Sequence, residues 1–158
     1  MNFLDNRCNA STKGMFLMSS NHIAISLKIN APIQKVWDSL AQWEKQGEWM
    51  LQTKVWVTSE ITEGVGTSIN AFTGVGPLGV LDSMTVTSWQ PPHTCDVLHT
   101  GKIIKGTGRF HLREITSDTT IFDWSEEVIA PRVLFLAMLP ALYIGVRISL
   151  SRFARTFR

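Results

Sequence analysis

The sequence predicts an α+β fold in which an antiparallel sheet is covered by one long C-terminal helix. Three observations carry this. Strand-like segments follow one another from Gln52 to Ile129 with no helix between them, a grouping that argues for an antiparallel sheet. Glycine, proline and aspartate interrupt them at short intervals, as the turns of a meander do. Beyond Pro131, apolar residues recur at spacings of three and four, which is the period of a helix.

The elements follow in order. "HIAISLKIN" (22–30) alternates, with Ile23, Ile25, Leu27 and Ile29 on one side, as a half-buried strand does. "APIQKVWDSLAQW" places Ile33, Val36, Trp37 and Leu40 on one helical face, and Pro32 opens the first turn. "WEKQGEWML" predicts a second short helix, broken by Gly47. Strands are then expected in "TKVWVTSEI", "TSINAFT", "VLDSMTVTSW", "CDVLHTGKI", "KGTGRFHLREI" and "TTIFDWSEEVI". Between them lie the breaks "TEGVG", "GVGPLG", "QPPH" and "TSD". This makes about seven strands, two short helices after the first, and one long helix.

Composition bounds the function. A chain of 158 residues is one ordinary domain. A formal charge of +2 does not suggest a nucleic-acid partner. Its distribution is uneven: Arg132, Arg147, Arg152, Arg155 and Arg158 stand in a tail with no acid. Cys8 and Cys95 make no disulfide framework, so a reducing, cytoplasmic location is expected. The N-terminal "MNFLDNRCNASTKGMFLMSSNH" lacks the apolar run of a signal peptide, because Asp5, Arg7 and Lys13 interrupt it. Residues 1–20 are expected to be a frayed extension, with Met15 or Met18 as a candidate start, and residues 21–158 a single domain.

The last helix poses the question of class. Its uncharged run, Val133 to Val146, is 14 residues, whereas a bilayer core needs about 20. Leu136, Leu139, Tyr143, Val146, Leu150, Phe153 and Phe157 form one apolar stripe, with Arg147, Ser151, Arg155 and Arg158 on another side. A membrane span needs no such stripe, but a helix covered by a sheet does. The reading is therefore a buried helix. Its first half, apolar all round, is expected to be enclosed by the sheet or touched by a ligand. Pro140 is expected to kink it.

The layout resembles the helix-grip fold of the START-related, birch-pollen-allergen-like (SRPBCC) superfamily, and the wording resembles its polyketide cyclase/dehydrase-like branch. The residues that carry the resemblance are "INAPIQKVWDSLAQWEKQGEW", "VTSWQPPH", "GTGRFHL" and "TTIFDWSEEV", the last followed by a proline and the long helix. It spans residues 23–158, and its motifs are structural rather than catalytic. The resemblance implies a curved sheet wrapped around the final helix, with an apolar ligand held between them.

Other motifs have simpler readings. "GVGPLG" spells G-x-G-x-x-G, but a strand rather than a helix follows it, so a hairpin is expected and not a dinucleotide site. "GKIIKGTG" lacks the ending of a phosphate loop. His22, His93, His99 and His111 never stand at ligand spacing, and no metal or cofactor is expected.

Strand parity selects the residues of the concave face. Phe122, Trp124, Glu126 and Val128 share a side in the last strand, as do Val80, Asp82, Met84 and Val86 earlier. Cys95, Val97 and His99 share another, as do Gly108, Phe110 and Leu112, which sends Arg109, His111 and Arg113 outward. The expected ligand-binding set is Trp56, Phe72, Met84, Val86, Phe110, Leu112, Trp124, Glu126, Leu136, Leu139 and Tyr143. Asp82, just after a turn, is expected to be solvated. Glu126 is either a structurally paired carboxylate or, buried beside Trp124, an acid or base with a raised pKa. His99 is either an ordinary strand residue or a cavity group.

Three functions follow. The first is a carrier or sensor that holds an apolar, aromatic or lipid-like molecule. The second is a cyclase- or dehydratase-type enzyme, with Glu126 or His99 as base and Tyr143 as donor to a developing oxygen charge. The third is a lipid-handling protein with a weak membrane-surface contact through the arginine-rich end.

Overall fold

The computed structural model of the chain describes residues 18–158. Seven strands form one sheet: β1 (Met18–Ile29), β2 (Thr53–Val57), β3 (Ser68–Val75), β4 (Leu78–Gln90), β5 (Thr94–His99), β6 (Gly106–Thr116) and β7 (Thr119–Pro131). Their order is β1-β7-β6-β5-β4-β3-β2, so β2 to β7 run as a meander and β1 closes the far edge against β7. All neighbours are antiparallel. Helix α1 (Ile33–Leu40) and a 3-10 turn (Trp43–Glu48) join β1 to β2, and α2 (Arg132–Arg155) follows β7.

The sheet curves around α2, which is the helix-grip arrangement. Residues 1–17, with Cys8 and Met15, lie outside the described residues. Strand β1 begins at Met18, opposite Pro131, four residues before the alternation in the sequence becomes regular. Residues 18–20 of the expected extension are thus part of the sheet.

Local patterns explain the elements. Ile33, Val36, Trp37 and Leu40 of α1 are all buried. The 3-10 turn presses on β2 because residue 47 has no side chain: a Cβ on Gly47 would stand 2.9 Å from the Thr53 carbonyl oxygen. "GVGPLG" is a hairpin in which Val75 pairs with Leu78 across Gly76-Pro77, and Gly76 has a φ of +57°, open to glycine at little cost.

The core lies between the sheet and the C-terminal half of α2. Phe153 is fully buried, with ring centroids 4.9 Å from Trp49, 6.0 Å from Phe122 and 5.1 Å from Phe157. Trp37 stacks edge-on to Trp89 at 4.8 Å beneath α1. On the convex face, the Arg109 Nε and Arg113 Nε donate to Asp96 at 2.6 Å and Asp123 at 2.9 Å, the outward direction parity predicts.

Pro140 sits inside α2, which runs as one helix from Arg132 to Arg155. One expectation about α2 is corrected. The first half of α2 is not enclosed: Val133, Leu134, Leu136 and Met138 are exposed, and Phe135 is its one buried residue.

Candidate functional site

Between the sheet and α2 lies a cavity of about 390 Å³. Val55, Ile69, Ala71, Met84, Val97, Phe110 and Trp124 form its wall on the sheet side. Leu142, Gly145, Val146, Ser149 and Leu150 of α2 roof it, and Trp43, Gln46, Trp49 and Met50 of the 3-10 turn and the residues after it close one flank. The lining is apolar except for a few groups, and its two charged residues are Asp82 and Glu126.

Sheet register brings these two to one place. Met84 of β4 pairs with His99 of β5, Val97 of β5 with Gly108 of β6, and Gly108 with Glu126 of β7. Asp82, His99, Gly108 and Glu126 therefore stand in a row across four strands on the concave face. Both Asp82 carboxylate oxygens accept from the His99 ring at 2.9 Å through Nδ1. His99 is only 4% exposed, and its Nε2 is buried without a hydrogen-bond partner. Gly108 makes the room. A Cβ built there would lie 3.6 Å from His99 Nε2 and 3.7 Å from Glu126 Cγ, so the imidazole and the second carboxyl both lean over a position with no side chain.

The electrostatics follow from burial and these neighbours. Removal from water pushes the Glu126 carboxyl up to about 7; the nearby His99 charge opposes this and Asp82 adds to it. Burial alone would lower the His99 pKa, but the hydrogen bond and charge of Asp82, with the charge of Glu126, outweigh it and hold it above the ordinary value. Near neutral pH the cluster thus holds a proton that Glu126 can give up or accept, with His99 oriented through Nδ1 by Asp82. Cys95 also lines the cavity, but burial and the Asp96 charge push its thiol up to about 12, too high for a thiolate nucleophile at neutral pH. Among the described residues, no three His, Cys, Asp or Glu side chains are grouped as metal ligands.

Of the residues expected from the sequence, Met84, Phe110, Trp124 and Glu126 line the cavity. Val86 and Leu112 face the same side but are packed into the core beyond it. Trp56 and Phe72 do not line it; Val55 and Ala71, one position away in each strand, do, as does Ile69. In these two strands both faces carry apolar residues, so alternation did not mark the inner one. Leu136, Leu139 and Tyr143 do not line it either. Leu139 packs on the core, whereas Leu136 and Tyr143 point outward, with Tyr143 44% exposed. That removes Tyr143 as a donor to anything in the cavity. Asp82 is not simply solvated but is the partner of His99.

Gln46, Ser149 and Gly145 were also not foreseen. Gln46 is buried and donates through Nε2 to the Leu40 carbonyl at 2.8 Å. Ser149 accepts from the Leu51 backbone N–H at 2.9 Å and donates to the Gly145 carbonyl at 2.8 Å. Gln46 ties the 3-10 turn to the end of α1, and Ser149 ties α2 to the segment before β2. Gly145 lines it, and a Cβ there meets nothing within 4 Å, so the cavity opens directly above this glycine. Polar or small residues in an apolar lining leave no trace in hydrophobic periodicity.

Comparison with known proteins gives the fold independent support. No family model matches the chain. Two uncharacterised proteins of Mycobacterium tuberculosis, from two strains, are 28% identical over 83 residues, which is 50% of this chain and 57% of theirs. The match therefore spans little more than half the length of these curated relatives. Solved structures agree over nearly the whole described chain. A START superfamily protein from Mycobacterium smegmatis superposes with a TM-score of 0.72 at 9% identity, over 89% of this chain and 100% of that one. An aromatase/cyclase from a Streptomyces species gives 0.69 at 15% identity, over 89% and 97%. Norcoclaurine synthase from Thalictrum flavum, in complex with dopamine and hydroxybenzaldehyde, gives 0.68 at 12% identity, over 88% and 87%. The chain has the helix-grip fold of START-related proteins and polyketide aromatase/cyclases.

Proposed function

We propose that the protein binds one small, mainly apolar molecule in the cavity between sheet and α2, as a cytoplasmic carrier or sensor, with a polar group of that molecule set against Glu126. The observation that carries this is the contrast inside the cavity: about 390 Å³ of largely apolar space with one charged cluster. Such a volume suits a molecule of a few fused or linked rings, or a short lipid chain. The burial of Glu126 favours a partner that hydrogen-bonds to a carboxyl near its point of half-protonation, such as a phenol, ketone or amide. Structures of the same fold hold aromatic molecules, as the norcoclaurine synthase complex does.

A neutral aromatic probe tests the reading. N-phenyl-1-naphthylamine is expected to bind the purified protein saturably, one per chain, with fluorescence enhancement. Gly145→Trp, which fills the cavity from the roof, is expected to abolish this while leaving the thermal melt in place. Enhancement that survives Gly145→Trp would move binding out of the cavity.

A second reading, an acid–base enzyme of the cyclase or dehydratase type, is favoured by the Asp82–His99–Glu126 row. Glu126 as carboxylate would take a proton from a carbon beside a carbonyl and return it to another atom. His99, held by Asp82, would stabilise the enolate charge that develops on the substrate oxygen. Deuterium exchange into α-tetralone, faster with wild type than with Glu126→Gln, is the expected sign; equal rates would leave the carrier reading alone.

A further inference from the structure

We propose that the protein docks on anionic lipid bilayers through the open end of the grip, formed by the first half of α2, the β3–β4 hairpin tip and the β5–β6 loop. The inference does not depend on which molecule the cavity holds.

Register places these three segments together. The β5–β6 loop folds back on β4, where Thr100 N–H and Gly101 N–H both donate to the Ser83 carbonyl, at 2.7 and 3.1 Å. The same loop meets β7, where Ile129 N–H donates to the Lys105 carbonyl at 2.9 Å. Helix α2 starts at Arg132, directly after β7. On this end large apolar side chains face outward: Leu78 is 80% exposed, Val133 74% and Ile103 70%, with Leu134, Leu136 and Met138 beside them on α2. Exposed apolar surface of this extent on neighbouring segments marks an interaction surface.

The charges within these segments have one sign. Lys102 and Lys105 flank Ile103 and Ile104, and Arg132 opens α2; all three are exposed. The segments 74–81, 100–105 and 128–158 contain no aspartate or glutamate. A second copy of the chain on this face would set the same cations against each other. An anionic bilayer meets both features, with acyl chains for the apolar side chains and phosphates for the cations. Helix α2 is also apolar enough to enter the interface: its best 18-residue window has a mean hydropathy of 2.0. By length and composition it could also cross, with 17% of that window buried; the packing of Ser149, Leu150 and Phe153 against the core favours lying at the surface instead. Ile104 and Val80, which line the cavity, adjoin this surface, so docking would set the cavity mouth on the lipid.

The arginines at the chain end are elsewhere. Arg152 stands about 30 Å along the helix from Arg132, given 1.5 Å per residue. The predicted contact through the arginine-rich end is therefore moved to the opposite end.

Vesicle sedimentation with the full chain tests the proposal. Binding is expected to vesicles with a third phosphatidylglycerol in phosphatidylcholine, weakened tenfold or more on pure phosphatidylcholine or in 0.5 M salt. Leu78→Ser with Leu134→Gln and Met138→Gln, all at exposed positions, should reduce it by a similar factor. Lys102→Gln with Lys105→Gln and Arg132→Gln should do the same. Arg152→Gln with Arg155→Gln and Arg158→Gln should leave it unchanged. Hydrogen exchange of the wild type on vesicles, which needs no variant to fold, should show protection in 100–105 and 132–140. No binding to the anionic vesicles overturns the proposal. So does binding lost only in the tail variant, which would make the arginine end the contact. A lipid-free dimer dispersed by the Leu78, Leu134 and Met138 changes would instead assign the face to a second copy.

Discussion

The two halves of α2 are built from similar residues and meet opposite fates. From Gly145 to Arg155 the helix presses one face into the sheet: Ser149, Leu150 and Phe153 are buried and Val146 roofs the cavity. From Arg132 to Ile144 it offers leucine, methionine and isoleucine to solvent. Ser149 has both hydrogen bonds made, whereas His99 Nε2 and Trp43 Nε1 are buried without one. One half of the grip packs the core and roofs the cavity; the other leaves its apolar side chains exposed.

The largest effect that tests this contrast is Phe153→Ala. Phe153 is fully buried among three aromatic rings, and its removal should cost about 3–5 kcal/mol in urea unfolding. A loss below about 1 kcal/mol would mean that the closed half is not the stabilising one.

Next comes pH. The folded Glu126 pKa, about 7, lies above its ordinary 4.5. The folded protein therefore binds this proton more tightly than the unfolded chain does. The associated stability is fully present below pH 4.5 and is lost as pH rises through about 7. His99, also raised, acts in the same direction: its contribution is present below its ordinary pKa of 6.5 and is lost as pH rises through its folded value. For Glu126 the loss is at most about 3 kcal/mol, reduced by any water in the cavity. Chemical denaturation from pH 4.5 to 8 should show the decline in wild type and a flatter profile in Glu126→Gln. Parallel profiles would mean that Glu126 is solvated in the folded protein.

A smaller effect sharpens the polar end of the cavity. Gly108→Ala puts a methyl group between His99 and Glu126, 3.0 Å from a Val97 methyl, which must give slightly. Affinity for 1-naphthol, whose hydroxyl would reach Glu126, should fall about tenfold, or about 1.4 kcal/mol. Affinity for N-phenyl-1-naphthylamine should change less. Equal losses for both would show that the methyl group only narrows the space. The smallest effect is on the open half itself. Leu134→Ala and Met138→Ala should change stability by no more than about 0.5 kcal/mol, the range for exposed sites; a loss near that of Phe153→Ala would erase the contrast.

Much of this was legible along the chain. The four apolar residues of α1 are all buried, as their spacing predicts. Parity on β4 to β7 placed Asp82, Met84, His99, Gly108, Phe110, Trp124 and Glu126 on one face, where the structure has them. Parity failed where both faces are apolar, at Trp56 and Phe72. The stripe on α2 was right at Val146, Leu150, Phe153 and Phe157 and wrong at Leu136 and Tyr143. In a segment apolar all round, 135–139–142 fits the helical steps of three and four as well as 136–139–143 does, so periodicity cannot choose the inward face.

What the sequence determined by itself was the order of elements and, wherever polar and apolar residues alternate, which side of each strand turns inward. These are local matters, because period and turn chemistry act over a few residues. What only the tertiary structure decided was pairing across distance. Asp82 meets His99 17 residues away in the chain, and Glu126 joins them across a glycine on a third strand. It also decided which half of α2 the sheet covers, and so which end of the molecule is left apolar and open. Register and burial are properties of the assembled sheet; no single segment carries them, and for that reason the candidate site came into view only when four strands were laid side by side.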